Sequence, residues 1–221
     1  MCGRYVTKID AAFERDWSLH VPAPLFESYN VAPTMLVPAV RERAHRRSCD
    51  LLRWGLVPHW AKGIPPKYGT INARIETLAT AASYRGPWQR GQRCILPVLG
   101  FYEWQVLQER KQPWYVHLAD QRVFGLAGLW DASTAADGTV IESCTIVTMP
   151  ANAFMAVIHN GRARMPAILD PADHATWLAG DADAARACLR PYPDDRMRAH
   201  PVSTVVNSPR NDDPRLIEPA A

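Results

Sequence analysis

The chain has 221 residues with 25 Lys and Arg against 22 Asp and Glu, and 48% of its residues are hydrophobic. That balance argues against whole-chain disorder, and a net charge of +3 is compatible with nucleic acid without pointing to it. Five widely spaced cysteines with no C-x-x-C argue against a disulfide framework and a cysteine zinc site and predict a reducing cytosol or nucleoid, while the lack of an 18-residue apolar run or a basic-then-apolar leader predicts neither a membrane span nor a signal peptide.

Nineteen prolines limit long helices and predict a loop-rich, strand-rich fold. In TKIDAAFERDWSLH, Ile9, Phe13 and Trp17 recur every four residues behind Thr7 and predict a capped amphipathic helix. Residues 21–35 are proline-punctuated and read as loop. MLVPAVRE and SCDLLRWGLVP read as a strand pair around an arginine-rich turn, whose five arginines read as a solvated hairpin face. Residues 61–74 read as loop and 75–84 as a short helix. The runs at 93–105, 113–119, 123–132 and 139–149 have the spacing of an antiparallel meander. PANAFMAVIH predicts a helix with Pro150 in its first turn, DPADHATWLAG and DADAARACL predict two short aspartate-capped helices, and HPVSTVVN a last strand. Strands among short helices without βαβ alternation give an α+β class, expected as one domain over residues 1–221.

Cys2 is the first candidate for chemistry. Removal of Met1 would leave one residue bearing both an α-amine, with a reference pKa of about 8, and a thiol of about 8.5. Such an aminothiol condenses with an aldehyde in two steps, imine formation and closure to a five-membered thiazolidine. Acyl transfer by an N-terminal nucleophile is the alternative chemistry, and an incidental cysteine the plain one. In GTINARIET, Asn72 and Arg74 share a side if the segment is extended; they can orient an amine or sugar oxygen and hold a phosphate, or merely stabilise a turn. In GFYEW, Glu103 shares a strand face with Phe101, a setting that raises a carboxyl pKa and suits proton transfer, or else it is simply a polar residue on the solvent face of an alternating strand. His159, at the end of a helix, is a proton shuttle or a satisfied cap. Asn30 and His200 alone read as turn and capping residues. No Walker A, G-x-G-x-x-G, H-E-x-x-H or G-x-S-x-G pattern occurs, so no nucleotide cofactor and no metal are expected.

MCGRY, YNVAP, RWGLVPHW, INARIET, CILPVLGFYEW, IHNGRARMP and HPVSTVVN occur in the order of the SOS-response-associated peptidase (SRAP) family, which the chain resembles from Met1 to about Pro219. The resemblance implies a compact α+β fold with an irregular antiparallel, barrel-like sheet, short peripheral helices and a basic DNA groove. It implies covalent crosslinking to abasic sites in single-stranded DNA, with Cys2 as nucleophile, Asn72 positioning its amine, and Glu103 and His159 moving protons. Arg4, Asn30 and Arg74 would line the DNA path, with Arg4, Arg74 and Arg85 as candidate phosphate contacts and Trp60 as a stacking or wedge residue, or else core. The segment HNGRARMP is three residues longer than the family's usual form, and Arg164, which precedes Met-Pro, is assigned the DNA role ahead of Arg162. A monomer without cofactor or membrane attachment is expected. The rival readings are an N-terminal-nucleophile cysteine peptidase or amidohydrolase, including self-removal of Met1, and a non-catalytic single-strand binder.

Overall fold

The computed structural model describes residues 2–19, 26–44, 46–67, 69–108, 110–119 and 123–220. Among these the strands are β1 (Arg4–Ile9), β2 (Phe26–Val31), β3 (Leu36–Arg43), β4 (Arg46–Trp54), β5 (Asn72–Arg74), β6 (Arg93–Val98), β7 (Gly100–Leu107), β8 (Arg110–Leu118), β9 (Phe124–Thr134), β10 (Val140–Pro150), β11 (Arg164–Pro166), β12 (Ile168–Leu169) and β13 (Met197–Pro201). The helices are α1 (Ala11–Trp17), α2 (Arg85–Gln89), α3 (Ala153–Ile158), α4 (His174–Ala179) and α5 (Ala182–Ala187).

The strands form two sheets. In one, β10, β4, β3, β6 and β9 pair in a ring that closes through a β9–β10 ladder. A closed ring has no open edge. It is tight: a Cβ on Gly128 would lie 2.5 Å from Leu96 Cδ1 and 2.8 Å from the Thr145 carbonyl, so only glycine fits there. Trp54, Leu56, Ile95 and Ile146 are fully buried within the apolar core. Each such side chain contributes about 1.5–3 kcal/mol. The second sheet runs β13-β8-β7-β1-β2, antiparallel throughout.

The α+β class and the barrel-like core are as expected, with two differences in pairing. β10 runs parallel to both β4 and β5. The expected meander is split, because the β7–β8 hairpin belongs to one sheet and the β9–β10 hairpin to the other. Five local expectations also change. Thr7 lies in β1 and donates to the Pro97 carbonyl at 2.6 Å; the α1 cap is Asp10, whose carboxylate accepts from the Ala12 and Phe13 N–H groups. Asn30 sits on a strand, not in a loop, while residues 20–25 lie outside the described residues. Residues 75–77 form only a 3-10 turn. Pro150 ends β10 and Asn152 caps α3, and the last strand ends at Pro201, leaving Thr204–Asn207 as a 3-10 turn. The aspartate cap of α5 is found at Asp181.

Candidate functional site

The site forms where the start of β1, in the second sheet, meets β5 on the barrel. β1 pairs with β7 through Arg4 opposite Tyr102, which brings Cys2 to the stretch of β7 that carries Glu103. Cys2 is fully buried, and its thiol donates to the Arg4 carbonyl at 3.8 Å. Burial, then the nearby Glu103 carboxylate, pushes the thiol far above its ordinary range. The sulfur is therefore a neutral thiol at pH 7.

Asn72 lies on β5, opposite Ile146 of β10, and its Nδ2 donates to the Cys2 carbonyl at 2.9 Å. The Asn72 carbonyl accepts from the Tyr84 hydroxyl at 3.1 Å. Its Oδ1 is buried with no hydrogen-bond partner among the described residues. Leaving such an atom unmet costs about 1–3 kcal/mol, so it is an acceptor held open beside Cys2.

Glu103 is 2% exposed. Burial raises its pKa, opposed by the charge of His159 and by a hydrogen bond from the Trp104 N–H. His159 follows α3, with its Nδ1 3.9 Å from Glu103 Oε1 and 2.8 Å from the Arg164 carbonyl. A carbonyl only accepts, so Nδ1 carries the proton in the neutral ring and Nε2 is the basic nitrogen. Arg164 is itself fixed: its guanidinium meets Glu76 at 2.8 and 3.1 Å and the Thr148 carbonyl at 2.7 Å. Hydrogen bonds from Arg164 hold the Glu76 carboxyl below its ordinary range.

The structure thus brings Cys2, Asn72, Glu103 and His159 together. A groove of about 430 Å³, lined by Gly69, Asn72, Arg74, Thr77, Ser83 and Tyr84, leads away from them. Trp60, 47% exposed, borders it by donating to the carbonyl of Ala82, another lining residue. Arg85 stands exposed at the start of α2, and neither its guanidinium nor that of Arg74 forms a hydrogen bond or ion pair among the described residues.

Three expected DNA contacts have protein partners. Arg4 donates to Asn30 Oδ1 and the Val206 carbonyl at 2.9 Å and to the Asn207 carbonyl at 3.2 Å. Asn30, 1% exposed, donates to the carbonyls of Ser208 at 3.0 Å and Asn211 at 2.7 Å. Both side chains fasten the turn at residues 206–211. Arg164, the sequence-based choice in HNGRARMP, is committed to Glu76, while Arg162 is exposed. Tyr84 and Thr148 carry no signal in the sequence that would mark them for the site, and Glu76 is marked only by lying inside INARIET. Glu76 and Tyr84 lie in the stretch read as a helix, and Thr148 is a buried polar residue inside an apolar strand run; nothing local marks their partners.

Among the described residues no group of three or more His, Cys, Asp or Glu is placed to hold a metal, and no helix is long and apolar enough to cross a membrane.

The family model for "SOS response associated peptidase (SRAP)" matches residues 1–209. "Abasic site processing protein YoqW" of Bacillus subtilis is 37% identical, covering 99% of both chains. "Abasic site processing protein HMCES" of Gallus gallus is 32% identical over 99% of this chain and 78% of its own. Crystal structures of a protein from Bacteroides thetaiotaomicron and of one from Bordetella bronchiseptica superpose with TM-scores of 0.89 and 0.81, at 25% and 29% identity. The first covers all of both chains; the second covers 91% of this chain and all of its own. With the fold, the ordered motifs and the family match in agreement, the chain belongs to the SOS response associated peptidase family.

Proposed function

We propose that this protein captures abasic sites in single-stranded DNA as a covalent thiazolidine on Cys2, once Met1 has been removed. The observation that carries this reading is the convergence on Cys2 of an amide from Asn72 at 2.9 Å and a buried Glu103–His159 pair 3.9 Å apart. The relatives' names, abasic site processing proteins, point the same way. Met1 itself lies outside the described residues.

An abasic sugar is mostly a closed hemiacetal. Glu103, kept protonated to higher pH by burial, gives a proton to the ring oxygen as the bond to C1′ breaks. His159 Nε2 takes the proton of the C1′ hydroxyl, which becomes the aldehyde. The neutral α-amine of Cys2, held by Asn72, then adds to C1′ and water leaves, giving an imine. The order follows from protonation: the thiol is buried and neutral, so the amine attacks first. The thiol then adds across C=N, sulfur to carbon and hydrogen to nitrogen. Loss of the imine removes the route to β-elimination and strand breakage. Arg74, Arg85 and Arg162 supply positive charge to phosphates, and Trp60 supplies a stacking face worth about 1–3 kcal/mol per base. Arg4 and Asn30 shape the path by fixing residues 206–211, and Arg164 acts through the carbonyl that orients His159.

Incubation with a single-stranded oligonucleotide carrying one abasic site, followed by a denaturing gel and intact mass, tests the reading. The expected result is a stable adduct of protein lacking Met1, lost completely in Cys2→Ala. A stable band from Cys2→Ala sinks the thiazolidine. Peptide turnover indifferent to abasic DNA would move the assignment to an N-terminal-nucleophile hydrolase.

A further inference from the structure

β1 covers one edge of β7 only as far as Tyr102, opposite Arg4. From Glu103 onward that edge has no partner strand among the described residues, although it carries the site's carboxyl. A bare edge leaves backbone groups to satisfy. Here side chains take them. The Trp104 N–H bonds to the Glu103 carboxylate. The Val106 N–H donates to Asn160 Oδ1 at 2.9 Å, and Asn160 Nδ2 donates back to the Val106 carbonyl at 2.9 Å. One amide thereby exchanges both bonds that a paired strand residue would make. Gln105 adds a further link, from its Nε2 to the Val157 carbonyl at 3.0 Å.

These bonds join the two segments that carry the proton-moving groups. Asn160 follows His159 directly, and Val106 lies three residues beyond Glu103 on the same strand. We infer that Asn160 is a positioning residue that welds the end of α3 to β7 and so fixes the separation of Glu103 and His159. The inference rests on the proposed roles of those two residues. It assigns Asn160 an effect on the rate of capture and none on DNA affinity. Asn160 is exposed, so its replacement removes the clamp without opening a cavity.

The test is single-turnover crosslinking by the full chain lacking Met1, with affinity measured separately on an oligonucleotide containing a tetrahydrofuran abasic analogue, which has no aldehyde. Displacements of about 1 Å cost up to about 10²-fold in rate, so Asn160→Ala is expected to lower the limiting rate by about 10- to 100-fold. Its affinity for the analogue and its melting temperature should stay at wild-type values. Asn160→Asp keeps the acceptor and loses the donor, and should recover part of the rate. Gln105→Ala should show a smaller loss of the same kind. An Asn160→Ala protein that crosslinks at the wild-type limiting rate overturns the inference alone, as does a rate loss matched by an equal affinity loss, which would make Asn160 a DNA contact. A wild-type protein that forms no adduct overturns the proposed function and this inference with it.

Discussion

The β3–β4 hairpin and the groove beside Asn72 both carry arginines, but they use them in opposite ways. In the hairpin, Arg41 is 3% exposed and bonded to Asp50 at 2.7 Å and to Glu142 at 2.6 Å. Arg43 also pairs with Glu142, Arg47 meets Glu42 at 3.4 Å, and Arg53 donates to the Gly55 carbonyl at 2.6 Å. Arg41 and Arg43 lie over the Trp130 ring at 4.8 and 4.4 Å. Arg74 at the groove and Arg85 beside it are exposed, and neither makes such a bond among the described residues. A dense arginine run is here a structural clamp, while sparse arginines present charge outward. What separates the roles is pairing rather than density.

That contrast can be broken most decisively at Arg41. Arg41→Ala leaves Asp50 and Glu142 without their shared cation and is expected to cost about 3 kcal/mol in denaturant unfolding, with DNA affinity unchanged. Next in size, replacing Arg74 and Arg85 together with Gln should weaken binding to single strands severalfold or more at moderate salt. The slope of log K against log salt should fall by about one for each phosphate that these side chains neutralise, and stability should stay within about 0.5 kcal/mol. A salt slope that moves with Arg41 and not with Arg74 would reverse the assignment.

The carboxyls of the two regions sharpen it through pH. Hydrogen bonds from Arg41 hold Glu142 below its ordinary range, so its contribution is present above the unfolded pKa of about 4.3 and is lost as pH falls. Burial raises Glu103, so its contribution runs the other way, fully present below about 4.3 and lost as pH rises through its folded value. Glu142→Gln should therefore be less stable than wild type at pH 7, and Glu103→Gln more stable; in thermal melts the Glu103 difference should vanish towards pH 4, while the Glu142 difference should shrink only as pH falls below about 4.3. Glu103→Gln should at the same time crosslink about 10²–10⁴-fold more slowly. The smallest effect is expected from Arg47→Gln, under about 1 kcal/mol, because its pair with Glu42 is partly exposed.

Much of this was legible in the residues. Strand-like runs and their spacing marked β6 to β10, and the shared face of Phe101 and Glu103 pointed to a buried carboxyl. Asp181 declared its helix. Other features depend on partners far along the chain. Asn30 reads as a turn residue because its partners lie some 180 positions away, at Ser208 and Asn211. Thr7 resembles a cap until Pro97 arrives to accept from it. Arg164 looks available for phosphate until Glu76, 88 positions earlier, neutralises it. Local pattern reports which face a residue occupies; it does not report who meets it there.

The fastening of Arg4 has a consequence for the order of assembly. Its anchors are carbonyls at Val206 and Asn207, about 200 positions downstream. Contacts so distant in sequence close only after the intervening chain has been made and ordered. During synthesis the barrel strands can emerge and pair while the stretch after Cys2 still lacks its distal anchor. The end made first is completed last, so the stretch beside Cys2 is fixed only as the molecule finishes.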